Sequence, residues 1–223
     1  MSKELLLEIN EDHFRESFLK YTRKAFQMLP KLDKPRILDI GCGSGVPTIE
    51  LARLSRGEVI GIDVDQAALE ELNRKIEEEG FSKRIKTIKA SLMELDFPNE
   101  SFDIIWAEGV LNLIGYRKSF KECNRLLKNK GFLVIHDVVM NIKIELKKLP
   151  SYGYKLVDSF SLPEDAWWKE YYAPLEIRIE ELRKKYKDDP GAPKIFQKYQ
   201  NEINMVKAKS KAFNSGFFIM QKV

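Results

Sequence analysis

The chain has 223 residues and a net charge of +4, with 43% hydrophobic and 32% charged residues. This composition is typical of a globular domain with a sizeable core, and the charge is too small to indicate a nucleic-acid-binding domain. The sequence has neither the roughly 20 consecutive apolar residues of a membrane span nor a signal-peptide pattern, so we expect a cytoplasmic protein. The two cysteines, Cys42 and Cys123, exclude a disulfide framework. Together with the two histidines, they lack the spacing of a metal site.

The hydrophobic pattern predicts alternating strands and helices along the first two thirds of the chain. An amphipathic helix over 13–29 precedes the first strand. The predicted strands are 36–40, 58–63, 85–89, 102–107 and 132–136, and the helices between them are 46–55, 66–79 and 116–129. Strands that alternate with helices in this way are typical of a parallel sheet with helices on both faces.

Beyond residue 140 the pattern predicts a helix, a strand, a helical insertion and a closing strand, at 141–149, 154–160, 163–212 and 216–221. We therefore expect a Rossmann-like α/β fold, with a doubly wound, seven-stranded, mostly parallel sheet and helices on both faces. The sequence is interpreted as a single domain over residues 1–223. Within it, residues 1–30 are expected to form a helical lid, and residues 163–212 an insertion before the last strand.

A glycine-rich turn between the first strand and the next helix is the most informative segment. Residues 36–45 (RILDIGCGSG) place Asp39 two positions before Gly41, and Gly43 and Gly45 follow. Because glycine has no Cβ, such a turn lets the backbone approach a ligand closely. A dinucleotide fingerprint requires glycine at position 46, which is valine here, so the spacing disfavours an NAD-dependent oxidoreductase.

Acidic residues at the ends of the first two strands are candidate ligand contacts. Doubly wound sheets bind ligands outside the carboxyl ends of their strands. Asp63 is placed to accept two hydrogen bonds from a ribose diol, and the adjacent Val64 can lie against an adenine face. Asp39 is suited to orient an ammonium group, directly or through water. A helix cap is the alternative role of Asp63, although Asp65 can serve as that cap instead.

Four segments, in this order, resemble the class I S-adenosylmethionine-dependent methyltransferases. They are the glycine turn with its strand, the second strand with its acid, the stretch leading into the fourth strand and the segment before the fifth, at 37–45, 59–65, 90–103 and 126–131. The resemblance covers roughly residues 35–139 and the closing strand. It implies S-adenosylmethionine as the cofactor, held by the glycine turn and by Asp39, Asp63 and Val64.

The chain departs from this family at Ser91, where small-molecule methyltransferases often have an acid that reaches the adenine amino group. Ser91 can still accept a hydrogen bond and the backbone of Leu92 can donate one, so the resemblance implies an altered adenine contact. Segment 106–115 (WAEGVLNLIG) lacks the Asn/Asp-Pro-Pro-aromatic run of enzymes that methylate DNA bases or glutamine. It is more similar to small-molecule methyltransferases of undefined substrate, whose relatives include the quinone C-methyltransferases of ubiquinone and menaquinone biosynthesis.

Glu108 and His136 are the candidate catalytic residues. Methyl transfer is an in-line displacement at the carbon attached to a sulfonium, so the protein supplies alignment and, for some acceptors, a base. Glu108 is placed to hold the sulfonium end of the cofactor or a substrate proton, with a solvated loop acid as the alternative. His136 ends the fifth strand and is a candidate base, although a lone histidine is more often structural. Tyr21 and Arg23 are expected to close over the cofactor carboxylate, and His13 is a second candidate base.

The insertion begins with an aromatic segment, residues 167–172 (WWKEYY), which we expect either to line a substrate pocket or to pin the insertion helices onto the sheet. Its Lys-rich helices are typical of a solvated face, with an RNA-facing surface as the alternative. The sequence as a whole predicts transfer of a methyl group to a small cytosolic metabolite. An RNA or protein methyltransferase and a non-catalytic S-adenosylmethionine-binding regulator are the alternatives, and the acceptor and the oligomeric state are left open.

Overall fold

The protein, described here by a computed structural model, consists of two compact units. The structure describes residues 2–223, apart from the side chains of residues 2, 3, 210 and 211. The sheet unit comprises Leu19–Ser161 and Ser215–Val223, and the helical unit comprises the residues up to Phe18 together with Leu162–Asn214. Among the described residues, no helix is long and apolar enough to cross a membrane.

The elements follow the predicted order. The strands are β1 (Arg36–Ile40), β2 (Glu58–Asp63), β3 (Ile85–Lys89), β4 (Phe102–Glu108), β5 (Leu127–Val138), β6 (Tyr154–Ser161) and β7 (Ser215–Lys222). The α-helices are α1 (Ser2–Ile9), α2 (Glu11–Glu16), α3 (Leu19–Gln27), α4 (Val46–Ser55), α5 (Gln66–Glu78), α6 (Leu111–Ile114), α7 (Tyr116–Leu126), α8 (Val139–Leu146), α9 (Ala173–Lys185) and α10 (Ala192–Ala208). Short 3-10 turns lie at Leu92–Glu94, Leu149–Tyr152 and Ser210–Phe213, and a π-helical turn lies at Trp168–Tyr172.

The strands form one seven-stranded sheet in the order β3-β2-β1-β4-β5-β7-β6. β7 runs antiparallel to both of its neighbours, β5 and β6, and the remaining neighbours are parallel. This confirms the predicted doubly wound, mostly parallel sheet. The strand order reverses between β1 and β4, so the carboxyl ends of these two strands mark the crevice in which such sheets bind ligands.

The two faces of the sheet differ in chemistry because successive side chains of a strand point to opposite faces. One face carries the main apolar core, in which Leu38 of β1, Ile105 of β4 and Leu133 of β5 pack with Phe120 of α7 and Ile142 of α8. This core lies on the α7 and α8 side of the sheet, and the other face combines buried apolar side chains such as Ile104 and Val134 with polar groups.

The opposite face carries the polar groups. Asp39 of β1 lies in register with Trp106 of β4, and Trp106 is followed two positions later by Glu108 at the end of the strand. Helices α3 and α4 lie on this side. Phe26 of α3 approaches Trp106 with ring centroids 6.4 Å apart, and Thr48 of α4 donates a hydrogen bond to Asp39.

The helix predicted over 13–29 is divided into α2 and α3. The hydroxyl of Ser17, which lies between them, donates to the carbonyl of Phe14 at 2.7 Å. A side-chain hydrogen bond to the local backbone competes with the regular helical pattern. The expected lid, residues 1–30, is thus shared between the two units, which divide after Phe18, and its role as a lid stays a prediction.

The helix predicted over 116–129 ends earlier, at Leu126, and Leu127 already belongs to β5. Leu127 is buried in the core and pairs with Phe102 of β4, whereas the next paired residue of β5 is Phe132. The residues between them form a bulge. Burial of Leu127 against the sheet therefore ends the helix earlier than predicted.

In the helical unit, α9 and α10 each bury an apolar stripe of side chains. The aromatic segment packs against α2 and the turn after it. Trp167 lies 4.5 Å from Phe18 and Tyr171 lies 6.1 Å from Phe14, as measured between ring centroids. The hydroxyl of Tyr171 also donates to the Glu11 carboxylate at 3.3 Å. Within this unit the segment thus holds the insertion to the N-terminal helices, and a part in a substrate pocket stays a prediction.

Candidate cofactor and active site

The glycine turn connects β1 to α4, and its three glycines all have φ between +52° and +86°. This left-handed backbone favours glycine. A Cβ at Gly41 would lie 2.8 Å from a methyl group of Val110, and one at Gly45 would clash with Leu72. A Cβ at Gly43 would meet no atom of the described residues within 4 Å. Packing therefore requires Gly41 and Gly45, whereas Gly43 presents its backbone to open space.

Asp63 is hydrogen-bonded to this turn. Its Oδ2 accepts from the Gly43 N–H at 2.8 Å, and its Oδ1 accepts from the Asp65 N–H at 2.9 Å. Each oxygen retains a further acceptor site. Asp65 caps α5, with Oδ1 accepting from the Ala67 N–H at 2.9 Å, so the helix-cap role does not belong to Asp63. The adjacent Val64 is 66% exposed, which is unusual for a large apolar side chain that follows a buried strand.

The turn after β3 lies next to Asp63, because the Ala90 N–H donates to the Asp63 carbonyl at 3.0 Å. Ser91 caps the 3-10 turn that begins at Leu92, and its hydroxyl oxygen accepts from the Met93 N–H at 3.4 Å. The Ser91 hydroxyl proton is still able to donate. The predicted adenine contacts at Ser91 and Leu92 are thus placed on the segment next to the predicted ribose contact.

Asp39 is buried, and its Oδ2 accepts from the Thr48 hydroxyl at 2.6 Å. Burial raises the pKa of Asp39 to about 7, and the negative charges of Glu108 and Asp63 add to the effect while the Thr48 hydrogen bond opposes it. A cation that approaches this carboxyl favours its ionised form. Asp39 is therefore poised to ionise when a positively charged group binds.

Glu108, the last residue of β4, is held by three neighbours. Its Oε1 accepts from the Thr22 hydroxyl at 3.0 Å and from the Trp106 indole N–H at 2.8 Å, and its Oε2 lies 3.7 Å from His136 Nδ1. Burial alone would raise the pKa of Glu108, but His136, Trp106 and Thr22 together lower it below its usual value. Glu108 is therefore ionised at neutral pH, and 18% of its side chain is exposed and available to a ligand.

His136 is paired in register with Glu108 on the neighbouring strand β5. Its Nε2 lies 3.0 Å from the Ser215 hydroxyl, and its ring stacks on Phe217 with centroids 4.5 Å apart and an interplanar angle of 5°. Both ring nitrogens thus face protein groups, and only 6% of the residue is exposed. The structure brings the two predicted catalytic residues together, and His136 is the less exposed of the two. The role of His136 as a base stays a prediction.

The other residues predicted from the N-terminal helices are not gathered at one point. Tyr21 is half-buried on α3, with the Lys20 ammonium 4.9 Å from its ring centre. The Arg23 guanidinium donates to the Glu50 carboxylate at 2.6 Å, so it is engaged by a protein carboxylate. His13 is exposed and belongs to the helical unit. Of this group, only Tyr21 and Arg23 share an element with a residue that contacts Glu108.

Four residues that were not predicted from the sequence surround the Glu108–His136 pair: Thr22, Trp106, Ser215 and Phe217. Trp106 could have been found, because residues two apart on a strand share a face and Glu108 follows it by two positions. Thr22 and Ser215 come from remote elements, and their neighbours in the chain give no comparable signal. Among the described residues, no group of three or more His, Cys, Asp and Glu side chains is arranged to hold a metal ion.

Part of the chain resembles known proteins. Residues 37–131 match the family described as "Methyltransferase domain". Methyltransferase GfsG of Streptomyces halstedii is 31% identical over 130 residues, which are 58% of this chain and 47% of that protein. The 27-O-demethylrifamycin SV methyltransferase of Amycolatopsis mediterranei is 28% identical over 155 residues, 67% of this chain and 57% of that protein. Sterol 24-C-methyltransferase erg6 of Aspergillus fumigatus is 30% identical over 106 residues, 47% of this chain and 28% of that protein. The matched region thus spans less than two thirds of each relative.

Solved structures share the fold over most of both chains. The [4+2]-cyclase SpnF superposes with a TM-score of 0.76 at 18% identity, over 91% of this chain and 80% of that one. A SAM-dependent methyltransferase from Geobacter sulfurreducens, in complex with S-adenosyl-L-homocysteine, superposes with a TM-score of 0.75 at 18% identity, over 92% and 91%. At such identities the likeness shows the fold. Together with the match of residues 37–131 to a methyltransferase domain, it supports the class I S-adenosylmethionine-dependent methyltransferase that the sequence predicts.

Proposed function

We propose that the protein transfers a methyl group from S-adenosylmethionine to a small organic acceptor. The observation that carries the proposal is the ionised Glu108 at the end of β4, on the same face of the sheet as Asp39 and close to the glycine turn. An ionised acid in a mostly buried position costs free energy unless a cation compensates its charge. A bound cationic cofactor provides that compensation.

The residues at the carboxyl edge of the sheet match the parts of S-adenosylmethionine. The open backbone at Gly43 admits close approach, and the free acceptor sites of Asp63 suit the two ribose hydroxyls. Val64 offers an exposed apolar side chain to the adenine ring. Asp39 and Glu108 supply negative charge for the ammonium and sulfonium groups. These residues would hold the cofactor, which supplies an electrophilic methyl group when bound.

The Glu108–His136 pair contributes mainly to the alignment of the reactants. His136 is enclosed by Glu108, Ser215 and Phe217, so we assign it to the support of Glu108. Glu108 is the member of the pair with exposed surface, and its lowered pKa suits it to remain an anion beside a cationic cofactor. Alignment of the acceptor with the methyl group then contributes most of the rate.

A small organic acceptor is favoured by the relatives, because their names specify a demethylrifamycin and a sterol as the methylated compounds. The similarity to quinone C-methyltransferases is kept as the finer hypothesis for the acceptor. We place the reaction in the cytoplasm, since Cys42 and Cys123 are both free thiols.

Incubation of the purified protein with methyl-labelled S-adenosylmethionine and a size-fractionated host lysate tests the proposal. We expect label in the small-molecule fraction, and we expect Asp63→Ala to reduce it strongly. Label in RNA or protein would instead make the protein a macromolecular methyltransferase. If calorimetry shows cofactor binding but no fraction becomes labelled, a non-catalytic regulator replaces the enzyme.

A further inference from the structure

Two neutral donors hold one oxygen of Glu108. The Thr22 hydroxyl and the Trp106 indole N–H both reach Oε1, at 3.0 and 2.8 Å, and both residues are buried. Neutral donors stabilise a carboxylate without cancelling its charge, unlike a lysine or arginine partner. His136 lowers the pKa of Glu108 most, and the two neutral donors add to this effect and hold the carboxylate in place.

The other oxygen is oriented differently. Oε2 lies 3.7 Å from His136 Nδ1, farther than either donor lies from Oε1, and the side chain is partly exposed. The His136 ring is itself fixed by Ser215 on one side and by the stack on Phe217 on the other. Anchoring of Oε1 thus determines the rotamer of Glu108 and leaves Oε2 as the oxygen with acceptor capacity for a ligand.

We propose that Thr22 and Trp106 are positioning residues that hold Glu108 so that the site discriminates the cationic sulfonium of S-adenosylmethionine from the neutral thioether of S-adenosylhomocysteine. This inference rests on the proposed function. The two ligands share adenine, ribose, ammonium and carboxylate groups, and they differ in the methyl group and its positive charge. The proposed function assigns Glu108 to the sulfonium, and a carboxylate fixed there favours the substrate over the spent cofactor.

Preference for the charged form has a consequence for turnover. The transfer moves the methyl group to the acceptor and leaves the sulfur neutral, so the attraction to Glu108 is lost in the product. Weaker retention of S-adenosylhomocysteine then assists its release. The arrangement would act as an electrostatic device against product inhibition, built from one acid and its two buried donors.

The test is the ratio of the dissociation constants of S-adenosylhomocysteine and S-adenosylmethionine, measured by calorimetry. Thr22→Val keeps the shape and removes the donor, whereas Thr22→Ser keeps the donor and removes a methyl group. We expect Thr22→Val to reduce the ratio about threefold to tenfold, chiefly through weaker binding of S-adenosylmethionine, since a hydrogen bond to a charged group is lost. Thr22→Ser should retain most of the wild-type ratio. Thermal unfolding of each variant shows whether it is folded.

Two further variants define the limits of the effect. Glu108→Gln, which is neutral and of similar shape, should bring the ratio close to that of a site that does not distinguish the two ligands by charge. Trp106→Phe should shift the ratio in the same direction as Thr22→Val. Equal ratios for the wild type, Thr22→Val and Glu108→Gln would overturn the inference while the proposed function stands. Failure of the wild type to bind either ligand would overturn the proposed function itself.

Discussion

Asp39 is a buried acid and Glu108 a mostly buried one, on adjacent strands and on the same face of the sheet, yet their pKa values shift in opposite directions. For both carboxyls, burial by itself acts to raise the pKa. Asp39 has the Thr48 hydroxyl as its donor, and the raising effects prevail. Glu108 has two donors and the nearby His136 imidazole, and these outweigh burial. Glu108 is thus an anion at neutral pH, whereas Asp39 ionises near neutrality, and this difference suits the two acids to different roles at one site.

Gly43 allows the role of the glycine turn to be tested with little disturbance of packing. Gly43→Ala places a methyl group in open space at φ +52°, so we expect a loss of about 1 kcal/mol in the free energy of unfolding. Affinity for S-adenosylmethionine should fall by about tenfold or more, because the methyl group blocks the close approach of a ligand. Urea unfolding and calorimetry measure the two effects.

Gly80 provides the matched control. It also has positive φ, +74°, with no atom of the described residues within 4 Å of a built Cβ, and it follows α5 away from the glycine turn. Gly80→Ala should cost similar stability and leave the affinity unchanged. A similar loss of affinity in both variants would show that backbone strain, rather than ligand approach, is the cause.

Asp63→Ala is expected to weaken the binding of S-adenosylhomocysteine by more than about 1 kcal/mol, because two ribose hydroxyls lose their acceptor. The Gly43 N–H also loses its partner, so affinity alone does not isolate the ribose contact. Calorimetry with the 2′-deoxy analogue separates the two effects. Removal of the 2′-hydroxyl should weaken binding to the wild type and have little effect on binding to the variant. An equal penalty in both proteins would rule out the ribose role of Asp63.

At the level of elements, the loop between β2 and α5 divides two functions between two acids. Asp63 ends the strand and accepts from the glycine turn, whereas Asp65 begins the helix and accepts from its first N–H groups. The helix cap and the proposed ligand contact are therefore separate residues. A substitution of Asp65 should affect the stability of the fold, and a substitution of Asp63 should affect the binding of the cofactor.

Asp65→Ala removes the cap of α5 and should lower the free energy of unfolding by about 1 kcal/mol. The affinity for S-adenosylmethionine should stay within about twofold of the wild type, since the Asp65 N–H to Asp63 bond comes from the backbone and survives. Denaturant titration and calorimetry check the two parts. Asp65→Ser, which retains a capping oxygen, should restore most of the stability. A large loss of affinity in Asp65→Ala would place Asp65 in the binding site.

For the whole molecule, a buried acid at the edge of the sheet carries a cost in stability. Asp39 lies between the β1–β4 core and α4, where an apolar residue would pack without an electrostatic penalty. The folded-state pKa of about 7 lies above the reference value of 3.8. The fold therefore favours the protonated form, and the stability that this form contributes is lost as the pH rises through about 7.

Asp39→Asn keeps the size of the side chain and an acceptor for Thr48, and it removes the titration. Relative to the wild type, the variant should gain stability as the pH rises from about 4 to about 7, by up to about 4 kcal/mol in total, given 1.36 kcal/mol per pKa unit. Urea unfolding of both proteins across this range measures the difference, in which most other titrating groups cancel. The Asp39→Asn variant should bind S-adenosylmethionine more weakly than the wild type, although it is more stable. A stability difference independent of pH would contradict the raised pKa.

Local signals account for much of what could be predicted. The periods of the apolar residues define the strands and helices of the sheet unit, and the glycine spacing with Asp39 and Asp63 indicates the ligand edge. The bulge in β5 and the break at Ser17 were not predicted. They depend on what Leu127 meets across the sheet and on the carbonyl that the Ser17 hydroxyl reaches.

The amino-acid order was sufficient for the doubly wound sheet, the glycine turn and the acids at the strand ends, because these depend on residues close together in the chain. The state of Glu108 was decided by contacts between distant segments. Thr22 lies 86 positions from Glu108, and Ser215 lies 79 positions from the His136 that it touches. Folding brings these donors to a mostly buried carboxylate, where low polarity strengthens each hydrogen bond. An acid that the sequence leaves as either a solvated loop residue or a ligand contact thereby becomes a fixed anion at the carboxyl edge of the sheet.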